Sequence, residues 1–177
     1  MPLSISKPAF NLRSKINELD GTIPYHKLPK GTVIFLGTST SGSVTNMSSN
    51  QVWTTLTGVE IKVVPKFSDS QLWIEHIFSM ENYDKPHGIG FRAYRAMPSS
   101  DGGGDVKVYE SYQHSHWDGS TQWDGPGQIV VSYMDVPGTS DRVQYYVQAY
   151  KETGNNLYTN YGQDSSGIRN TVWEIKQ

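Results

Sequence analysis

Residues Gln128 to Gln177 read QIVVSYMDVPGTSDRVQYYVQAYKETGNNLYTNYGQDSSGIRNTVWEIKQ, and this stretch decides the fold class. The apolar run Ile129 to Met134 meets a cluster of turn formers, Asp135-Val136-Pro137-Gly138-Thr139-Ser140-Asp141. Val143 to Tyr150 then alternates. Successive strand side chains point to opposite sides, so Val143, Tyr145, Val147 and Ala149 form a core face. Gln144, Tyr146, Gln148 and Tyr150 take the other face. Leu157 to Tyr161 and Thr171 to Ile175 add two short β segments separated by Gly162 and the turn-rich Asp164 to Gly167. The reading is strand, loop, strand, repeated to the end.

The same grammar runs upstream. Val33 to Leu36 is a short apolar run closed by GTSTSGS, and Ser48 to Thr57 carries Val52, Trp53 and Leu56 among polar residues. Gly58 to Val64 alternates, with Val59, Ile61 and Val63 on one face, until Pro65 stops it. Gln71 to Met80 has apolar residues on both faces and is expected to be a central strand buried on both sides. Gly88 to Met97 and Val106 to Tyr112 read as further strands. Eight to ten short strands at regular spacing predict an all-β chain, an antiparallel β-sandwich of jelly-roll-like form.

The first 30 residues differ. Within Pro8 to Leu19, Leu12, Ile16 and Leu19 fall on one stripe of a helix that Gly21 would end. So short a helix is marginal alone and needs a surface to pack on. Gly21 to Gly31, with Pro24 and Pro29, reads as an extended linker. Residues 1–30 are therefore expected to be a short helical and extended docking arm, with Phe10, Leu12, Ile16 and Leu19 as its contacts, and residues 31–177 the sandwich body.

Composition narrows the partners. The 177 residues carry a net charge of −2, which argues against a nucleic-acid backbone or an anionic membrane as a standing partner. No segment has the apolar length to insert in a bilayer, and the N-terminus lacks the apolar core of an export signal. The absence of cysteine excludes disulfides and thiolate metal sites and fits folding in a reducing compartment.

Three sets of residues were candidates for chemistry or contact. In His114-Ser115-His116-Trp117-Asp118, a strand would put His114, His116 and Asp118 on one side, a donor set suited to zinc or iron. On a trimer axis, His114 and His116 from three chains would surround one metal with six nitrogens; solvated loop histidines are the alternative. Tyr112, Trp117 and Trp123, in and beside a glycine-bearing loop, are candidates for receptor contact or for closing the end of the sandwich. Glu110, Asp118, Asp124 and Asp135 supply carboxylates, but a glycosidase needs a facing pair, and Asp135 before Pro137 reads as a turn residue bonding nearby backbone N–H groups. Gly102-Gly103-Gly104 lacks the Gly-Lys-Ser/Thr of a phosphate loop. No cofactor and no enzymatic activity are expected.

Several stretches together resemble a family of small β-sandwich domains in tail fibres and other virion surface proteins of tailed bacteriophages, cyanophages among them. They are KPAFNLRSKINELDG (7–21), LPKGTVI (28–34), TTLTGVEIKVVPKFSDSQLWIEHI (54–77), GFRAYR (90–95), YMDVPGTSDRVQYYVQAY (133–150), YTN (158–160) and TVWEI (171–175). The Asp-x-Pro turn followed by Tyr-x-Val-Gln is the most specific of them. This chain departs at Ser70-Gln71, at Asn170, and throughout Ser99 to Gly127. The resemblance implies a virion structural protein assembled in the host cytoplasm, commonly a homotrimer, docked on other virion proteins by residues 1–30. It would present the sandwich to a host surface glycan or protein as a tail fibre. A capsid decoration or head fibre is the alternative, and a polysaccharide-degrading enzyme the outsider.

Overall fold

A computed structural model describes residues 24–82, 88–96, 104–113, 127–154, 156–159 and 167–177. A 3-10 turn, Tyr25–Lys27, precedes ten strands: β1 Val33–Ser41, β2 Thr45–Met47, β3 Thr54–Val63, β4 Gln71–Asn82, β5 Ile89–Ala96, β6 Val106–Gln113, β7 Gly127–Asp135, β8 Val143–Lys151, β9 Leu157–Thr159 and β10 Ile168–Ile175. One sheet is ordered β1-β10-β4-β7, with β9 pairing the far end of β4 and β2 pairing β9; the other is β3-β8-β5-β6. Counting only the eight longer strands, the sheets read first-eighth-third-sixth and second-seventh-fourth-fifth. That interleaving is the jelly roll.

The core is what alternation dictates. Val143, Tyr145, Val147 and Ala149 of β8 are buried, facing Leu72, Ile74, Phe78 and Met80 of β4 and Val131 and Tyr133 of β7 in the opposite sheet. The sequence-derived core face of β8 is therefore the observed one.

Three elements differ from expectation. The stretches Ser48–Thr57 and Gly58–Val64 contribute to a single strand, β3, because Gly58 adopts φ +80° within a register shift between Thr55 and Glu60. The shift changes the parity, so Leu56 before it and Val59 after it both point inward. Second, β1 continues through Gly37-Thr38-Ser39-Thr40-Ser41, expected to be a turn, paired along β10. Third, β4 is central in its sheet but is covered on one face only. Its outer residue Trp73 is exposed, with Glu75 and Ile77 half-buried.

The expected extended linker is likewise not extended throughout its described part. Tyr25–Lys27 forms its turn against the end of the chain, with Lys176 Nζ donating to the carbonyls of Tyr25 and Leu28 and Gly31 N–H donating to Lys176 O at 2.7 Å.

Candidate binding surface

The buried polar groups hold the fold together. His76 lies wholly inside, its Nδ1 2.7 Å from Asn170 Oδ1 and its Nε2 3.1 Å from the Tyr133 hydroxyl. Asn170 Nδ2 in turn donates to Ser39 Oγ and to the carbonyl of Gly58, which occupies the β3 irregularity. Burial lowers the His76 pKa from 6.5 to about 4, although its hydrogen bond to Asn170 works the other way. The ring is neutral, with Nδ1–H donating to Asn170 and Nε2 accepting from Tyr133.

Glu174, also buried, accepts from the backbone N–H of Lys66 and Phe67 and from Ser70 Oγ at 2.6 Å, tying the β3–β4 connection to β10.

Asp135 does not act as the backbone-bonding turn residue expected. It takes Arg95 Nη1 at 2.7 Å and the Tyr145 hydroxyl at 2.7 Å, joining β7 in one sheet to β5 and β8 in the other. Burial and this carboxylate both push the Tyr145 phenol well above its ordinary value. Glu110 pairs with Lys107. Both described acids of the candidate set are thus engaged with cations.

Of the remaining candidates, Phe10, Leu12, Ile16, Leu19, His114, His116, Trp117, Asp118, Trp123 and Asp124 lie outside the described residues, as do Gly102 and Gly103. Among the described residues no group of three or more His, Cys, Asp or Glu gathers to hold a metal, and no helix is long and apolar enough to cross a membrane.

Tyr112 is described, and its neighbours were not anticipated. It projects from β6 on the outer face of the β3-β8-β5-β6 sheet, where register places it in a row with Gly90 and Tyr150. The Tyr112 and Tyr150 ring centroids are 5.6 Å apart, and Trp53 stands 5.2 Å from Tyr150. A Cβ on Gly90 would lie 2.8 Å from the Tyr112 ring and 3.0 Å from Trp53, so the missing side chain is what lets both rings settle onto the strand.

One row along, the Arg92 guanidinium carbon sits 4.2 Å from the Trp53 ring centroid and 5.2 Å from that of Tyr94, with Nε donating to Gln148 Oε1 at 2.8 Å. Tyr94 and Tyr146 stack at 5.4 Å and 14°, and the Tyr146 hydroxyl donates to Asp105. The outcome is a continuous band: Tyr112, Tyr150, Trp53, Arg92, Tyr94, Tyr146. The sequence signal for it is the non-core face of β8, which carries two tyrosines and two glutamines; what no local pattern shows is that β5, β6 and Trp53, just before β3, bring rings to meet them.

The opposite outer face has different chemistry. Register aligns Phe35, Trp173, Trp73 and Met134 across β1, β10, β4 and β7, with Val33 and Ile175 beside them. Phe35 is 58% exposed, Val33 57%, Met134 42% and Trp73 39%. The two indoles lie 4.7 Å apart, and the Trp73 N–H is already spent on Ser132 Oγ. The row itself offers apolar contact, with Glu75 and Ser132 paired beside it on the same face.

No family model matches the chain, and no curated protein matches it. Among solved structures, a chain from the infectious bursal disease virus Gx strain is similar at 10% identity with a TM-score of 0.39, over 82% of this chain and 38% of that one. This chain thus corresponds to well under half of the viral one. Eiger TNF from S. frugiperda is similar at 10% identity with a TM-score of 0.37, over 81% of this chain and 92% of that one. At these scores neither likeness adds to what the strand order already gives.

Proposed function

We propose that this chain is a virion structural protein, a fibre-like surface subunit that assembles with copies of itself, docks through residues 1–30 and holds its sandwich outward for attachment to a host. The sequence likeness to phage fibre domains supports the setting. The observation that carries the assembly is the apolar row Phe35–Trp173–Trp73–Met134, open along the outer face of one sheet. Contiguous apolar patches of this kind are uncommon on chains that act alone and mark surfaces that another protein covers. Covering the surface that these side chains still expose removes apolar area from water and so favours association.

The reading places the protein on the particle surface and assigns it no catalysis. The two described acids that sequence made available for hydrolysis are committed to Arg95 and Lys107. Two measurements test it together. Gold-labelled antibody against the chain should decorate intact virions under the electron microscope, and sedimentation of the purified chain should give a trimer that Trp73→Glu converts to folded monomer. Virions without label, or a wild-type chain that stays monomeric at micromolar concentration, overturn it.

A further inference from the structure

The geometry points to a binding site for an acidic polysaccharide on the outer face of the β3-β8-β5-β6 sheet, with sugar rings on Trp53, Tyr150 and Tyr112 and a uronate carboxylate on Arg92. This names a ligand class for the attachment role proposed above but rests on separate residues.

Three features of the face select this ligand. The first is ring presentation. Trp53 and Tyr112 settle over Gly90, with Arg92 stacked on Trp53, and partly exposed rings such as that of Tyr112 stack on the apolar faces of sugars. The face is only partly covered, with Tyr112 39% exposed.

The second is the interleaving of hydrogen-bonding groups with rings. Gln148 lies between Tyr146 and Tyr150 on β8, and Thr55 accepts from Gln148 Nε2 at 3.1 Å, so amide, hydroxyl and phenol groups alternate with aromatic surface at every step. A protein partner of the kind suited to the opposite sheet would meet the unbroken apolar row there. The present face instead pairs each apolar surface with a polar group, as a polyhydroxylated chain requires.

The third is charge. Glu110 stands opposite Arg92 in register, yet its carboxylate goes to Lys107. Glu60 accepts from Gln144, Asp105 from Tyr146, and Glu152, beyond the Gly90 row, from the Tyr112 hydroxyl. Among the described residues no carboxylate pairs with Arg92, whose planar guanidinium is fixed by two rings and by Gln148. A cation held in place in this way is organised to receive a carboxylate without further loss of side-chain freedom. From the Gly90 row to the Tyr94 row is four residues, on the order of 13 Å at about 3.4 Å per residue, which suits a chain of sugars rather than a single one.

The chain's net charge of −2 makes the test selective, because bulk electrostatics repels a polyanion. Purified full-length protein is titrated with polygalacturonate and, separately, with neutral dextran, by calorimetry at low and high salt. Binding to polygalacturonate that weakens with salt is expected. Trp53→Ala and Arg92→Gln should each weaken it about ten-fold, the size of a lost stacking or cation contact, while thermal unfolding shows both variants folded. Arg92→Lys should recover only part of the loss, since an ammonium lacks the planar fork. Failure of the folded wild type to bind polygalacturonate, equal binding to dextran, or folded variants that bind like wild type would each overturn the site. None of these results bears on incorporation into particles, so this inference and the virion reading stand or fall separately.

Discussion

At the residue scale, His76 shows how a chemically versatile side chain can be wholly structural. Histidine suggests a ligand or a base, and in the sequence His76, like His26 and His87 and unlike His114 and His116, has no partner at ligand spacing. In the fold both nitrogens are occupied and the ring is closed off from solvent. The consequence is a pH dependence with a definite sign. The unfolded chain protonates this histidine near pH 6.5, whereas the folded one resists until about pH 4. Between those values the unfolded state binds a proton that the native state refuses. The contribution to stability is therefore complete above about pH 6.5 and falls as the pH drops toward 4, by about 3 kcal/mol in all. Urea unfolding at a series of pH values should show this fall, and in His76→Gln, less stable at neutral pH, its slope should be smaller. An equal slope in the variant would mean that other groups carry the acid sensitivity.

At the scale of elements, legibility followed the oil. Strand β8, whose inward residues are apolar as far as Ala149, could be assigned face by face from its alternation, and the burial of Val143, Tyr145, Val147 and Ala149 agrees. Strand β1 could not, because beyond Leu36 it carries no apolar side chain: Ser39 accepts from Asn170 rather than filling an apolar core. A polar strand of that kind looks like a loop in sequence. The shift at Gly58 was hidden for a related reason, since its carbonyl is satisfied by Asn170, more than a hundred residues away. Glu174 is the same lesson at a strand end. A carboxylate next to Trp173 reads as a solvent-facing residue, but it is the anchor of the 65–70 connection. Glu174→Gln keeps the shape and loses the charge-assisted bonds, and it brings an N–H toward backbone donors. It should destabilise the fold by about 1–3 kcal/mol and speed amide exchange at Lys66 and Phe67 before exchange in β10 changes. Unchanged exchange at those two amides would show that the connection is held by other contacts.

At the scale of the whole molecule, the two outer faces differ in chemistry. The apolar row runs to β1, and Tyr25, just before the sandwich, lines the same groove as Phe35, Val64 and Lys66. The N-terminal segment therefore joins the body at the margin of the face suited to assembly, while the aromatic band with Arg92 belongs to the other sheet. A subunit built this way can be covered on one side by copies or by the particle and still offer the other side to a ligand. Trp117 and Trp123 stand out in the sequence because they are aromatic rings within a glycine-bearing loop. The band does not, because its members come from segments far apart in the chain, and only the crossing connections of the jelly roll bring them together. The arm gives the last test. From Pro24 onward the described chain already supplies both sheets and the Lys176 clasp on Tyr25 and Leu28, so deleting residues 1–23 removes none of these contacts. The truncated protein should unfold at the same temperature as the full chain and bind polygalacturonate equally well, yet fail to enter particles when supplied in place of the full chain. A body that no longer folds would assign Phe10, Leu12, Ile16 and Leu19 to the core, and a body that still incorporates would move docking from the arm to the apolar row.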